Sequence, residues 1–253
     1  MLSILIPLRN EYENLADIER IFREKFYEIK YEVILINDFS DDSTLIRAEE
    51  IVKNNKNFVV LNNKKRGLGG AINLGIDNAS GKFICIMMAD LSDDINDLKK
   101  YYYLMQENNY DAVFGSRFMT DSLVSGYPKK KLILNRIFNF IVKIVFLNNY
   151  NDYTNAFKIY KSEMLKSFLP LVSESFNIFL ELPLKVISRK YNFKVIPINW
   201  RTRKKGEAKF KIKELRSKYL FTLIYCFIEK ILLNKKKWIW NYPFKTVQLF
   251  FYY

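Results

Sequence analysis

The 253-residue chain contains no histidine. Ser-His-Asp and Cys-His catalysis, His-ligated zinc and a histidine general base are thereby excluded. Its two cysteines, Cys85 and Cys226, lie inside apolar runs. They are too few for a disulfide framework and read as buried free thiols in a reducing, cytoplasmic compartment. Long apolar runs are missing as well. The strongest, Tyr219 to Ile228, ends at Glu229-Lys230, short of the ~20 residues that a spanning helix needs. No transmembrane helix is therefore expected. The opening MLSILIPLRNEYE lacks a basic flank and reads as a strand, not a signal peptide.

What is present is a globular composition, 49% hydrophobic and 27% charged, which excludes a disordered chain. The net charge of +14 is unevenly placed. Residues 1–125 carry 15 Lys/Arg against 20 Asp/Glu, and residues 126–253 carry 26 against 7. A mildly acidic half suits metal or polar-ligand chemistry. A strongly basic half suits phosphates, anionic lipid or nucleic acid.

The first 115 residues alternate strand and helix. Leu2–Ile6 is a continuous apolar run, as in a strand buried on both faces, and Glu32–Ile36, Phe58–Leu61, Phe83–Met87 and Ala112–Phe114 read as the second to fifth strands. Asn10 with Glu13 reads as a helix start, followed by Leu15, Ile18, Phe22 and Phe26 on one helical face. Further helices are expected near 42–54, 68–79 and 94–108. This rhythm predicts a parallel, three-layer α/β/α sheet whose ligands bind beyond the carboxyl ends of the strands. Those ends carry Pro7-Leu8-Arg9-Asn10-Glu11, Asn37-Asp38 and Ala89-Asp90-Leu91-Ser92-Asp93-Asp94.

The second half breaks the rhythm. Leu132–Leu147 is apolar apart from a narrow polar stripe of Arg136, Asn139 and Lys143. Lys211–Leu233 begins basic and becomes apolar, and Trp238–Tyr253 holds eight aromatics. Basic, aromatic and too short to span describes a helix lying in a membrane interface. The competing arrangement has these helices covering the sheet or pairing in a homo-oligomer. The expected division is a domain over 1–210, including an interfacial helix near 130–147, and a membrane-associating segment over 211–253.

Asp90 and Asp93 at the end of the fourth strand suit a hard divalent ion that also binds a diphosphate. Capping of the next helix by Asp93 or Asp94 is the competing reading. Asp38 ends the second strand, where a carboxylate accepts bonds from a base or ribose. Lys64-Lys65-Arg66-Gly67-Leu68-Gly69-Gly70 reads as a phosphate-binding helix start, though it has neither P-loop nor Rossmann spacing.

Seven motifs then occur in order: Pro7-Leu8-Arg9-Asn10-Glu11; Asn37-Asp38-x-Ser40-x-Asp42-x-Thr44; Arg66-Gly67-Leu68-Gly69-x-Ala71; Ala89-Asp90-Leu91-Ser92-Asp93-Asp94; Gly115-Ser116-Arg117; Asp152-x-Thr154-Asn155-Ala156-Phe157-Lys158; and Arg203-x-x-Gly206-Glu207-Ala208-Lys209. Together they resemble the GT-A family 2 glycosyltransferases over residues 2–230. The closer likeness is to the polyprenyl-phosphate (dolichol-phosphate) sugar transferases.

The resemblance implies that Pro7, Arg9, Glu11, Ile36 and Asp38 line a nucleoside pocket, with Arg66 also on the nucleotide sugar. It sets Met88 and Ala89 over ribose and diphosphate. Asp90 is the implied chief ligand of Mg²⁺ or Mn²⁺, with Ser92 or Asp93 beside it. Arg117, Arg203 and Lys209 are implied on donor diphosphate and acceptor phosphate. Two departures stand out: the usual Asp-x-Asp is Met88-Ala89-Asp90, and a usual serine is Ala208.

The implied reaction moves a hexose from a nucleotide sugar to a polyprenyl phosphate at a membrane surface. An acceptor phosphate is already anionic, so the absent histidine is no obstacle. A hydroxyl acceptor instead requires a base, and Asp152 is the obvious second-half candidate. Asp152 otherwise orients the acceptor or caps its loop. A nucleic-acid partner needs a basic patch free of acidic rims, against which the Asp-lined sheet edge argues.

Overall fold

A computed structural model describes residues 1–203, 205 and 212–240, with side chains over 217–233 of the last stretch. The elements are β1 (Leu2–Leu8), α1 (Tyr12–Lys25), β2 (Tyr31–Asn37), α2 (Thr44–Asn54), β3 (Phe58–Asn62), α3 (Leu68–Asn78), β4 (Phe83–Ile86), α4 (Ile95–Glu107) and β5 (Ala112–Ser116). Then follow β6 (Val124–Ser125), α5 (Lys129–Phe146), β7 (Lys158–Lys161), α6 (Ser162–Lys166), α7 (Ile178–Ser188), β8 (Phe193–Pro197), β9 (Trp200–Arg201) and α8 (Ile212–Trp240).

Seven strands form one sheet in the order β3-β2-β1-β4-β7-β5-β8. The β1–β2, β2–β3, β1–β4 and β5–β8 pairs are parallel, and β7 runs antiparallel between β4 and β5. All of β1 is buried because helices cover both faces. Leu15, Ile18, Phe22 and Phe26 of the α1 region pack on one face with Ile51 and Leu98. Ile72, Ile76, Val142, Phe146 and Leu180 pack on the other.

The expected strands are all present, and β1 runs two residues further than expected. Pro7 is tolerated inside it because the β4 ladder ends at the Leu5–Ile86 pair, so no neighbour needs its missing N–H. The helix start expected at Asn10 lies further on. Asn10 is left-handed (φ 52°), α1 begins at Tyr12, and Glu11 precedes it without capping through its side chain.

The polar stripe expected on α5 is also different. The side packed inward carries Asn139, Val142 and Phe146, with Asn135 bonded to Thr154, while Arg136 lies over the Phe118 ring at 4.7 Å. The outward side exposes Ile133, Leu134, Ile137, Phe140, Ile141 and Ile144. α8 packs alongside through the Phe138–Tyr219 and Phe146–Phe227 ring contacts and a Lys230 bond to the Phe146 carbonyl. It exposes Leu220, Phe221, Ile224, Ile228 and Leu232 in turn. Its inner side is bolted to α7 by Lys185–Glu229 (3.0 Å) and Arg189–Glu229 (2.8 Å) ion pairs. Among the described residues no helix is long and apolar enough to cross a membrane. The tail from 241 onward lies outside the described residues.

Candidate active site

The parallel strands deliver their C-terminal loops to one rim, and three of these loops turn through left-handed non-glycine residues. Asn10, Phe39 and Leu91 have φ of 52°, 55° and 53° after β1, β2 and β4. Such conformations are uncommon outside glycine and cluster at functional sites.

At the β2 end, Asp38 is buried. Its Oδ1 accepts bonds from Asn63 Nδ2 and from the Gly67 amide, both at 2.8 Å. The glycine segment differs from the expected phosphate cradle. Gly67 sits at φ 121°, and the Gly69 amide donates to the Glu174 carbonyl at 3.0 Å. A Cβ on Gly69 would lie 1.8 Å from the Ser173 carbonyl oxygen. The glycines admit the chain's own 173–174 backbone, and those two amides are already bonded. Arg66 remains exposed beside them. Ile36 does not line a pocket. It is fully buried, with Cδ1 packed toward Gly75 of α3, and it pairs in register with the buried Pro7. Arg9 is half-buried at the same rim.

Glu11 receives Arg203 from the far end of the chain, at 2.9 and 3.2 Å. Lys205 reaches Asp17 at 2.9 Å and the Glu13 carbonyl. The basic loop thus crosses onto α1 and, with Asp90 and Leu91, closes a cavity of about 150 Å³ that Asn14 and Ile21 also line. Lys209 lies outside the described residues.

After β4, Met88 is half-buried against the core and Ala89 is buried. Asp90 is half-buried, and its Oδ1 accepts the Ser92 amide at 3.1 Å. The capping reading falls to Asp94, whose Oδ1 accepts the Asn96 amide at 2.9 Å. Asp93 is buried instead. Its Oδ1 and the Ser92 Oγ have no hydrogen-bond partner among the described residues. Burial, and then the Asp90 charge, push the Asp93 carboxyl up to about 8. Buried polar atoms normally have partners, so two orphaned oxygens beside Asp90 mark a place for a ligand. Among the described residues no cluster of three or more His, Cys, Asp or Glu encloses a metal. A cation held here would take few ligands from the protein, as Mg²⁺ does when phosphates and water complete its shell.

Arg117 and Asp152 are brought together. The Arg117 amide, Nε and Nη2 donate to the Asp152 carboxylate at 2.9, 2.8 and 2.7 Å. The side chains are 9% and 0% exposed. Phe118, Tyr127 and Trp200 ring the guanidinium at 5.4–5.8 Å. Asp152 is therefore not presented to an acceptor; both its oxygens hold Arg117. Nε and Nη2 of Arg117 are both committed to that carboxylate.

Lys131 of α5 was not distinguished in the sequence from its neighbours Lys129 and Lys130. Burial, and then Arg117, lower its pKa, while Asp90 opposes the shift. It thus stands within the field of both. A basic run preceding an apolar helix was the available signal, but not which lysine turns inward.

The sequence model described as Glycosyl transferase family 2 matches residues 3–169. A dolichol-phosphate mannosyltransferase of Pyrococcus furiosus is 26% identical over 216 residues, 84% of this chain and 60% of that protein. A dodecaprenyl-phosphate galacturonate synthase of Rhizobium johnstonii is 27% identical over 173 residues, 65% of this chain and 49% of that protein. The chain thus spans about half to three-fifths of these relatives' length. Glucosyl-3-phosphoglycerate synthase of Mycobacterium tuberculosis, solved with Mn²⁺, UDP and glucosyl-3-phosphoglycerate, superposes with a TM-score of 0.70 at 14% identity. The match covers 89% of this chain and 79% of that one, and it shows a shared fold.

Proposed function

The chain belongs to glycosyl transferase family 2, and on that footing we propose that it moves a hexose from a nucleotide sugar to a polyprenyl phosphate. The donor is of the GDP-mannose or UDP-glucose type, and the enzyme rests on the cytoplasmic face of a membrane. One observation carries the reading. α5 exposes an apolar side, and its first turn supplies Lys131 within the field of Arg117 and Asp90. A lipid lying along that side brings its phosphate to the acidic donor loop. The names of the two relatives point the same way.

In this reaction an acceptor phosphate oxygen attacks the anomeric carbon, and the bond from that carbon to the donor diphosphate breaks. Attack from the opposite side inverts the configuration. Asp90, with Ser92 Oγ and Asp93 Oδ1, would hold a Mg²⁺ or Mn²⁺ ion, whose charge would neutralise the leaving diphosphate. Arg203 and Glu11 close the basic loop over the donor end, and Lys131 and Arg117 supply positive potential where the acceptor arrives. Transfer to a hydroxyl acceptor is disfavoured, because Asp152 is bonded through both oxygens and is no free base.

The test mixes protein, Mg²⁺, a panel of UDP- and GDP-sugars and polyprenyl phosphate, and then extracts with organic solvent. Metal-dependent label in the organic phase is expected. Label only on a soluble acceptor, or none with any donor, overturns the proposal. Flotation with anionic and neutral liposomes tests the surface attachment. Binding that weakens with salt yet needs detergent for full release is expected, whereas a protein that floats with neither overturns it.

A further inference from the structure

Lys158 is a buried amine with no task in the reaction described above; burial lowers its pKa to about 7, against the opposing field of Asp152. It opens β7 and is 1% exposed. Among the described residues no carboxylate forms an ion pair with it. Its Nζ donates to the backbone carbonyls of Tyr153 and Asn155 and stands over the Phe114 and Tyr150 rings at 5.9 and 5.8 Å. Burying an amine costs desolvation whether or not it keeps its proton, and an unbranched apolar side chain fills similar space without that cost. Core filling therefore does not account for a lysine here.

The turn that it grips does account for it. Residues 152–155 lead from α5 toward β7 and carry Asp152, the anchor of Arg117. From the α5 side, Asn139 Oδ1 accepts the Tyr153 amide at 2.6 Å, and Asn135 Nδ2 donates to Thr154 Oγ1 at 3.0 Å. Lys131, Asn135 and Asn139 follow one another at intervals of four, on one side of the helix. A single turn, pinned by Lys158 below and by Asn139 beside it, thus sets Arg117 relative to the helix that carries Lys131.

We propose that Lys158 and Asn139 are positioning residues for the acceptor phosphate. By fixing the 152–155 turn they fix the spacing between Arg117 and Lys131. The proposal rests on the reading that the acceptor is a polyprenyl phosphate. Neither residue touches the substrate.

Lys158→Met and Asn139→Leu are compared singly and together. Transfer is measured with polyprenyl phosphate varied at saturating donor, and binding of UDP and GDP is measured by calorimetry. Small misplacements of reacting groups are costly, so acceptor KM is expected to rise about tenfold or more. Nucleotide Kd should stay within about twofold, and the double variant should cost little more than either single one, because both act on one turn. Lys158→Arg should restore part of the loss. A second readout does not depend on the acceptor. The Arg117 Nε–H, buried against Asp152, should exchange slowly with solvent in nitrogen-15 spectra and clearly faster in both variants. Wild-type protein that transfers to no polyprenyl phosphate overturns the reading beneath the proposal. Unchanged Arg117 exchange in folded variants overturns the proposal itself, as does a nucleotide Kd that shifts as much as acceptor KM. If Lys158→Met does not fold, Asn139→Leu alone decides by the same criteria.

Discussion

Asp152→Asn is the smallest change that tests whether this site is built around a buried ion pair. Three Arg117 donors converge on the carboxylate within 2.9 Å, and neither side chain has appreciable contact with water. Asparagine keeps the shape. It also turns one acceptor into an NH₂ group facing other donors and leaves the guanidinium without its counter-charge. Removing one partner of a buried pair costs about 3–5 kcal/mol. At about 2–4 °C per kcal/mol for a chain of this size, the melting temperature should fall by about 6–20 °C. The rings of Phe118, Tyr127 and Trp200 still face the cation, so the lower half of that range is expected. Thermal and urea unfolding of the variant measure it. A second protein, Arg117→Met with Asp152→Leu, separates stability from function. Replacing both partners by apolar groups is often neutral or stabilising, so this protein should regain the lost stability and still fail to transfer sugar. An Asp152→Asn protein that melts with the wild type would refute the ion-pair argument. Full transfer by the double variant would refute the role of Arg117.

Asp90→Asn should keep the fold and lose several kcal/mol of transition-state stabilisation, about a thousandfold or more in kcat; undiminished turnover, or turnover in chelator, would contradict the metal role. Asp93 supplies a pH prediction. Its folded pKa, about 8, exceeds the ordinary carboxyl value, first through burial and then through Asp90. In metal-free buffer the folded protein therefore keeps a proton that the unfolded chain releases above about pH 4, and stability falls as pH rises from there toward 8. Asp93→Asn should remove that fall, and urea midpoints measured across this window decide. Phe140→Glu with Ile144→Glu alters two exposed α5 positions; it should abolish liposome flotation with the melting temperature within about 2 °C, and retained flotation would move the contact elsewhere.

The parallel half of the sheet was legible because β1, β2 and β4 are buried almost throughout and so read as apolar runs, while the edge strand β3 showed through its run of Phe58 to Leu61. β7 and β8 were not. β7 is four residues long with a lysine at each end, and terminal lysines read as solvated; Lys158 is buried because two carbonyls receive it. β8 has no residue fully buried and shows no apolar run. At the site, Asp90 was legible from its place after a strand. Spacing alone does not separate Asp93 from Asp94, since either precedes α4; the fold makes Asp94 the cap and buries Asp93. The pairing of Arg117 with Asp152 joins residues 35 apart through a turn whose conformation no local pattern encodes. The glycines after β3 were visible, but the backbone that they admit comes from residues 173–174.

The charge asymmetry of the two halves acquires its meaning at this site. An acidic rim alone would repel the diphosphate of the proposed donor, because Asp38 and Asp90 stand at the strand ends. The basic half answers that field by reaching back across the chain, with Arg203 on Glu11 and Lys205 on Asp17. The pairs at the α1 end are at most half-exposed and individually weak. Their effect is to keep the basic loop in register with α1, over the end where the donor is proposed to bind. At the opposite end Lys131 and the Arg117–Asp152 pair occupy the interior edge of α5, whose outer side is apolar. Cations thus flank the acidic loop on both sides, one set at the α1 end and one beside α5 with its exposed apolar side. The proposed reaction between two phosphate-bearing substrates fits that distribution: each anion meets its own counter-charge, and Asp90 lies between them, available to hold a cation.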